Sequence, residues 1–191
     1  MDKDFWNLIK NGNELAFSKL YNEYADLLYG YGMKIVSDEE FVSEAIQNLF
    51  VYLYEKRENL SYPDSIKAYL YASLKRTLIR AASKKRSIHV FSFDQVNQTE
   101  YDFDLEVDIE TALIRGEHKD EILLKLQNAL NELSPQQREV IYLKYYKSCS
   151  NDEIAQILGV SNQIVRNVAS RALLKLRNLG NLRSLFLVIK V

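Results

Sequence analysis

The stretch from Asn151 to Arg177, NDEIAQILGVSNQIVRNVASRALLKLR, constrains the fold more than any other part of the chain. It predicts two helices joined by a tight turn. Ile154 and Leu158 stand one turn apart on the first helix, and Ala155 is small where two helices approach closely. Gly159 can take the positive φ that ends a helix without a Cβ clash. Ser161 is placed to cap the next helix, from which Val165 and Val168 point back at the first. The opposite face carries Asn162, Gln163, Arg166, Asn167, Ser170 and Arg171. Amides and guanidinium groups in that arrangement suit base edges and phosphates in a DNA major groove. The expectation is a helix-turn-helix. Gln163, Arg166 and Asn167 are the base-edge candidates, and Ser161, Arg171 and Lys175 the phosphate contacts that set register.

The rest of the chain reads as helix too. Two prolines and six glycines in 191 residues are too few for a turn-rich β protein. Phe17, Leu20, Tyr21, Tyr24, Leu27, Leu28, Tyr31 and Ile35 recur at steps of three and four, which predicts an amphipathic helix. Ser37-Asp38-Glu39-Glu40 has the form of a capping box with Ser37 at the cap. It opens a second helix striped by Phe41, Val42, Ala45, Ile46, Leu49, Phe50, Leu53 and Tyr54. Glu58 to Ser65 is a predicted loop, in which Pro63 pushes Tyr62 out of the helical region. A third helix is expected over about 65–86, with Tyr69, Leu70, Leu74, Leu78 and Ile79 inward. A further helix runs from near Glu117 to about Leu133 on Ile122, Leu123, Leu126 and Leu130. Ser134-Pro135-Gln136-Gln137 caps the next, which uses Val140, Ile141, Leu143 and Tyr145. Ser150 to Glu153 caps the first helix of the helix-turn-helix.

Net charge of −1 conceals a strong partition. Residues 1–60 carry −5, 61–90 carry +6, 91–133 carry −8 and 134–191 carry +6. The first basic block gathers Lys75, Arg76, Arg80, Lys84, Lys85 and Arg86 along the C-terminal half of the third helix. A helix dipole accounts for cations in the last turn but not one and two turns earlier, so this block is a second candidate phosphate-binding surface. The acidic block between about Ile88 and Arg115, with Asp94, Glu100, Asp102, Asp104, Glu106, Asp108 and Glu110, is the expected linker. The predicted organisation is all-α: a helical domain over 1–87, an acidic linker over 88–116 and a helix-turn-helix domain over 117–191.

Several function classes find no support. The lone Cys149 cannot form an internal disulfide and suits a reducing, cytoplasmic setting. Cys149, His89 and His118 are scattered and make neither a nucleophile setting nor a metal site. There is no Gly-rich phosphate loop. Asp102 and Asp104 lie in the expected linker, a poor support for catalytic geometry. No catalytic residue, cofactor or metal is expected. Polar residues near Met1 break any signal pattern, and the apolar tail Leu185–Ile189 is too short to span a bilayer, so no direct membrane insertion is expected.

Ala16-Phe17, Leu20-Tyr21 and Tyr24, followed by Ser43-Glu44-Ala45-Ile46-Gln47-Asn48-Leu49-Phe50 and then Tyr69-Leu70-Tyr71, resemble an extracytoplasmic-function (ECF) RNA polymerase sigma factor. The C-terminal LSPQQREVIYLKYYKSCSNDEIAQILGVSNQIVRNVASRALLKLR is similar to that family's promoter −35 domain. The resemblance covers about Glu14 to Arg86 and Asn131 to Arg177. It departs at Tyr69, where the family often has Trp, at Arg76, where Asn is frequent, and at Asn48, where an acidic residue is common.

The resemblance implies a cytoplasmic protein whose partners are core RNA polymerase and promoter DNA, with a possible anti-sigma protein. Glu44, Gln47, Asn48, Leu49, Phe50 and Tyr52 of the second helix would meet polymerase. Asn59, Ser61 and Tyr62, with Tyr69 and the basic residues Lys75, Arg76, Arg80, Lys84, Lys85 and Arg86, would take the melted −10 element. Base flipping costs a few kcal/mol of stacking, which an aromatic such as Tyr62 could offset in part. Ser161, Asn162, Gln163, Arg166, Asn167, Ser170, Arg171 and Lys175 would read the −35 element. A competing reading is a stand-alone helix-turn-helix repressor or activator with an N-terminal sensing or dimerisation domain. That protein would bind duplex operator without polymerase.

Overall fold

The computed structural model describes residues 2–86, 101–105 and 127–178, with side chains described for 3–82, 101–105 and 127–177. All regular structure among the described residues is helical. The helices are α1 (Asp2–Lys10), α2 (Glu14–Gly32), α3 (Glu39–Lys56), α4 (Ile66–Arg86), α5 (Pro135–Ile141), α6 (Asn151–Leu158) and α7 (Asn162–Asn178). A helical turn over 127–131 precedes α5. The chain divides into two compact units, chiefly Met1–Asp102 and, for the second, Phe103–Ala155 with Val160–Val191.

In the first unit α2 packs on α3 and α4, α3 packs on α4, and α1 lies against α2. Leu20, Leu28, Tyr31, Val42, Leu53, Leu70, Tyr71, Leu74 and Leu78 are fully buried between them. Each large apolar side chain so buried contributes about 1.5–3 kcal/mol. Only part of the stripe expected on α2 goes inward, since Tyr21 and Leu27 remain exposed. Gly32 lets α2 and α3 close together: a Cβ there would meet Val42 Cγ1 at 2.7 Å. The cap of α3 is Asp38 rather than the expected Ser37, because Asp38 Oδ1 accepts the amide of Phe41 at 3.0 Å. Ser65 caps α4 by accepting the amide of Ala68.

The nine-residue α1 was not expected from the sequence. It is short and carries charged residues at both ends, but Trp6 and Ile9 are each only 1% exposed.

In the second unit α5 packs on α7. Ser134 and Gln137 form the predicted capping box, with Pro135 in the first turn. The helical phase then changes: Tyr142–Tyr146 is a π-helical turn. Tyr142 is buried there, Tyr145, expected inward, is only half-buried, and Tyr142 stacks on Tyr146 at 5.6 Å. Ser150 and Glu153 cap α6 reciprocally, and Gly159 ends it at φ 66°. Ser161 Oγ accepts the amide of Ile164 to start α7. Along α7 the buried positions are Val165, Ala169, Ala172 and Leu176, while Val168 is only half-buried. Steps of four, three and four keep the first set on one face, and Val168 falls beside it.

Residues 101–105 lie inside the stretch expected to be a solvated linker, yet they are packed. Tyr101-Asp102-Phe103-Asp104-Leu105 alternates apolar and acidic, so an extended chain can bury every second side chain. Phe103 and Leu105 are fully buried in the second unit, with Phe103 5.5 Å from Tyr142, while Asp102 and Asp104 are exposed. Arg138 holds this segment by donating to the Phe103 carbonyl at 3.0 Å.

The remainder of the expected linker, His89, His118, Ile122, Leu123, Leu126 and the Leu185–Ile189 tail lie outside the described residues. Among the described residues no helix is long and apolar enough to cross a membrane, and no His, Cys, Asp and Glu group of three or more could hold a metal ion.

Candidate nucleic-acid interface

The outer face of α7 brings the sequence-predicted base readers together. Gln163, Arg166, Asn167, Ser170 and Arg171 are exposed on it, and Asn162 is half-buried at its start. The side chains also hold one another. Gln163 Nε2 donates to Asn167 Oδ1 at 3.0 Å. Arg166 Nε donates to Asn162 Oδ1 at 2.7 Å, and Asn162 Nδ2 in turn donates to Asp152 Oδ1 on α6. With Nε engaged, bidentate reading of a guanine would use the two terminal guanidinium nitrogens. Asp152 was missed from the sequence, where it reads only as an acidic residue in a first helical turn. Lys175 is exposed but donates to the Glu132 carbonyl at 3.1 Å, so it starts from an intramolecular bond.

In the first unit, the chain between α3 and α4 leaves Asn59, Ser61 and Tyr62 exposed. Tyr62 is 49% exposed; its hydroxyl donates to Asn7 Oδ1 of α1, and Lys10 Nζ lies 4.9 Å from its ring centre. Trp6 Nε1 donates to the Ser61 carbonyl at 3.0 Å, and Lys10 Nζ donates to the Leu60 carbonyl. Tyr69 is half-buried, meeting the ring of Trp6 edge-on at 6.0 Å. Burial, with the nearby Tyr52, pushes its phenol above the usual tyrosine value, while Arg76 and a hydrogen bond with Ser73 pull the other way.

The basic face of α4 needs one correction. Arg76 and Arg80 are exposed as a phosphate-binding role requires. Lys75 is only 8% exposed and donates to the Tyr101 hydroxyl at 2.7 Å, with its ammonium 4.6 Å from that ring centre. An apolar stem and an aromatic partner have drawn it inside, so it is not part of the solvent-facing set. The side chains of Lys84, Lys85 and Arg86 lie outside the described residues.

On α3, Glu44, Gln47, Asn48 and Tyr52 are exposed and Leu49 is half-buried. Phe50, expected as part of the partner-facing surface, is a core residue at 3% exposure, packed edge-on against Phe17 and Tyr21. It lies four residues from Ile46 and three from Leu53, both buried, on the inward stripe.

Two family profiles match the chain: sigma-70 region 2 over residues 20–88 and sigma-70, region 4 over residues 123–176. The chain is 25% identical over 170 residues to the RNA polymerase sigma-E factor of Streptomyces avermitilis, covering 87% of this chain and 86% of that one. It is 29% identical over 168 residues to the ECF RNA polymerase sigma factor SigL of Mycobacterium tuberculosis, covering 84% and 89%. Among solved structures, CnrH in complex with the cytosolic domain of CnrY shares the fold at TM-score 0.56 and 20% identity, over 93% of this chain and 96% of that one. The sigma factor RpoE in complex with the anti-sigma factor NepR, from Bartonella quintana, does so at TM-score 0.56 and 20% identity, over 87% and 97%. With region 2 ahead of region 4, similarity to sigma-E and ECF factors over 84–87% of the chain and a helix-turn-helix in place, the chain belongs to the ECF sigma factors of the sigma-70 family, which direct RNA polymerase to promoter DNA.

Proposed function

We propose that this sigma factor divides promoter recognition between its two ends. The domain over 1–87 binds core polymerase and the −10 element, the domain over 117–191 reads the −35 element, and the acidic stretch over 88–116 joins them. In the C-terminal domain Gln163, Arg166 and Asn167 contact base edges, with Asn162 orienting Arg166. Ser161, Ser170, Arg171 and Lys175 contact phosphates. In the N-terminal domain Asn59, Ser61 and Tyr62 accept a base of the melted non-template strand, beside Tyr69, and Arg76 and Arg80 neutralise phosphates, with Lys84, Lys85 and Arg86 further along α4. Glu44, Gln47, Asn48, Leu49 and Tyr52 form the polymerase-facing side of α3.

The observation that carries this reading is the outer face of α7, where Gln163, Arg166, Asn167, Ser170 and Arg171 are exposed, Gln163 is hydrogen-bonded to Asn167, and Arg166 to the half-buried Asn162. Bonds of this kind hold recognition groups in place before DNA arrives, which reduces the ordering cost of binding. Opening the promoter needs no bond chemistry by this chain. A tighter grip on the melted strand than on duplex shifts the equilibrium towards the open state. The protein acts in the cytoplasm, where polymerase works. The two solved relatives in complexes with CnrY and NepR support an anti-sigma partner for this chain as well.

The test is transcription from a linear promoter library by core polymerase reconstituted with this chain. Specific initiation is expected. Arg166→Ala should relax base preference in the upstream element, whereas Arg76→Ala with Arg80→Ala should weaken opening and flatten its salt dependence by about 0.7 in log–log slope per lost single-strand contact. If both sets of changes alter the same base preference, the division of labour is wrong.

A further inference from the structure

Helix α1 has no part in the roles assigned so far, yet it is tied to the loop before α4 at three successive residues. Trp6, Asn7 and Lys10 occupy positions i, i+1 and i+4, within an arc of about 100° on one helix face. Trp6 Nε1 donates to the Ser61 carbonyl at 3.0 Å, Lys10 Nζ donates to the Leu60 carbonyl, and Asn7 Oδ1 accepts from the Tyr62 hydroxyl. Two of these bonds end on backbone carbonyls, so they set the path of the loop whatever its side chains. The third sets the angle of one ring. Tyr62 is 49% exposed, and Lys10 Nζ is 4.9 Å from its ring centre. Trp6, 1% exposed, also meets Tyr69 edge-on at 6.0 Å, which joins the loop's support to α4. Gly12 follows α1 at φ 75°, where a Cβ would meet Arg57 Nε at 3.1 Å, so the far end of α1 approaches the start of the loop closely.

A loop of this kind is ordinarily mobile and would lose entropy on gripping a flipped base. A pocket held in place beforehand avoids that cost. We infer that α1 is the rigid seat of the base-accepting loop, and that Asn7 is a positioning residue that orients Tyr62 towards the unstacked base. This rests on the assignment of Asn59, Ser61 and Tyr62 to the −10 element. Asn7 touches the Tyr62 hydroxyl rather than the DNA, so its effect is on selectivity at the position Tyr62 faces.

The experiment uses the full chain bound to core polymerase, with a library of single-stranded non-template oligonucleotides randomised across the −10 element and a randomised −35 duplex as control. Asn7→Ala and Tyr62→Phe should each lower discrimination at one −10 position by about three- to tenfold. The double variant should do no worse than either single one, because both remove the same bond. The remaining −10 positions, the −35 preference and the thermal midpoint should stay as in the parent. If Tyr62→Ala abolishes selectivity at one position while Asn7→Ala leaves it intact, or weakens all positions equally, α1 is not the seat and the loop assignment stands. If Tyr62→Ala leaves every −10 preference unchanged, the loop assignment itself falls, and the role of α1 with it.

Discussion

The ammonium of Lys75 is held by Tyr101, 2.7 Å from the phenol oxygen and 4.6 Å from the ring centre. A residue of α4 beside the exposed cation Arg76 is thus withdrawn by a tyrosine 26 positions along the chain. Tyr101→Phe removes the acceptor and keeps the ring. It should destabilise the first unit by about 1–2 kcal/mol in chemical unfolding. Tyr101→Ala removes both contacts and opens Lys75 to solvent, so binding of a melted −10 strand should gain salt dependence, about 0.7 in log–log slope. A less stable variant with an unchanged slope would place Lys75 outside the DNA-binding set altogether.

Asp152 lies on α6, but its carboxylate fixes Asn162, which in turn holds Arg166. Asp152→Ala should therefore act at a distance from DNA. The expected loss is about three- to tenfold in discrimination at the base that Arg166 is proposed to read, with other −35 positions unaffected. Arg166→Ala should remove preference at the same base, and adding Asp152→Ala to it should cost nothing more. Selection from a randomised −35 duplex measures both.

Burial pushes the Tyr142 phenol well above the usual tyrosine value of 10.0, with Tyr146 and Cys149 adding to the shift. The folded chain therefore keeps a proton that the unfolded chain loses above about pH 10. Stability from this group is fully present below that pH and falls as pH rises further. Unfolding free energies measured from about pH 8 to about pH 11 should be level at first and then decline, and Tyr142→Phe should make the decline shallower. A parent and a Tyr142→Phe protein with identical alkaline slopes would contradict this.

Gly32 is a close contact of α2 with Val42 of α3. A methyl group there must displace Val42, which is fully buried. Gly32→Ala should cost about 1–3 kcal/mol in thermal or urea unfolding despite the better helix propensity of alanine. Combined with Val42→Ala, which makes room, the cost should be less than the sum of the two single changes.

Much of the helix-turn-helix and the exposed face of α7 could be read from local sequence alone. The Ser134 and Ser150 caps, the Gly159 turn and the polar face of α7 each involve residues three to eight apart, so short-range spacing was enough to place them. Errors arose where packing between distant segments decides. Lys75 and Arg76 look alike in sequence, but only Lys75 faces a tyrosine from the chain beyond α4. Phe50 reads as half-exposed beside Leu49 until α2 brings Phe17 and Tyr21 against it. Tyr145 was expected inward on α-helical phase, but it falls within a π-helical turn over Tyr142–Tyr146 and is only half-buried, while Tyr142 is buried. Ser37 lost the cap of α3 to Asp38, a one-residue competition between two good capping side chains.

Sequence by itself determined the all-helical class, the order of the two sigma-70 regions and which polar side chains share the outer face of α7, because helix periodicity, capping and turn chemistry act over a few residues. Tertiary structure alone decided that α1 supports the loop at Leu60, Ser61 and Tyr62, that Tyr101 withdraws Lys75, and that Asp152 steadies Arg166 through Asn162. Apart from the local Asn162–Arg166 bond, those bonds join residues ten to more than fifty positions apart, and their partners are chosen by which helix faces the core leaves adjacent. No spacing along the chain encodes that choice.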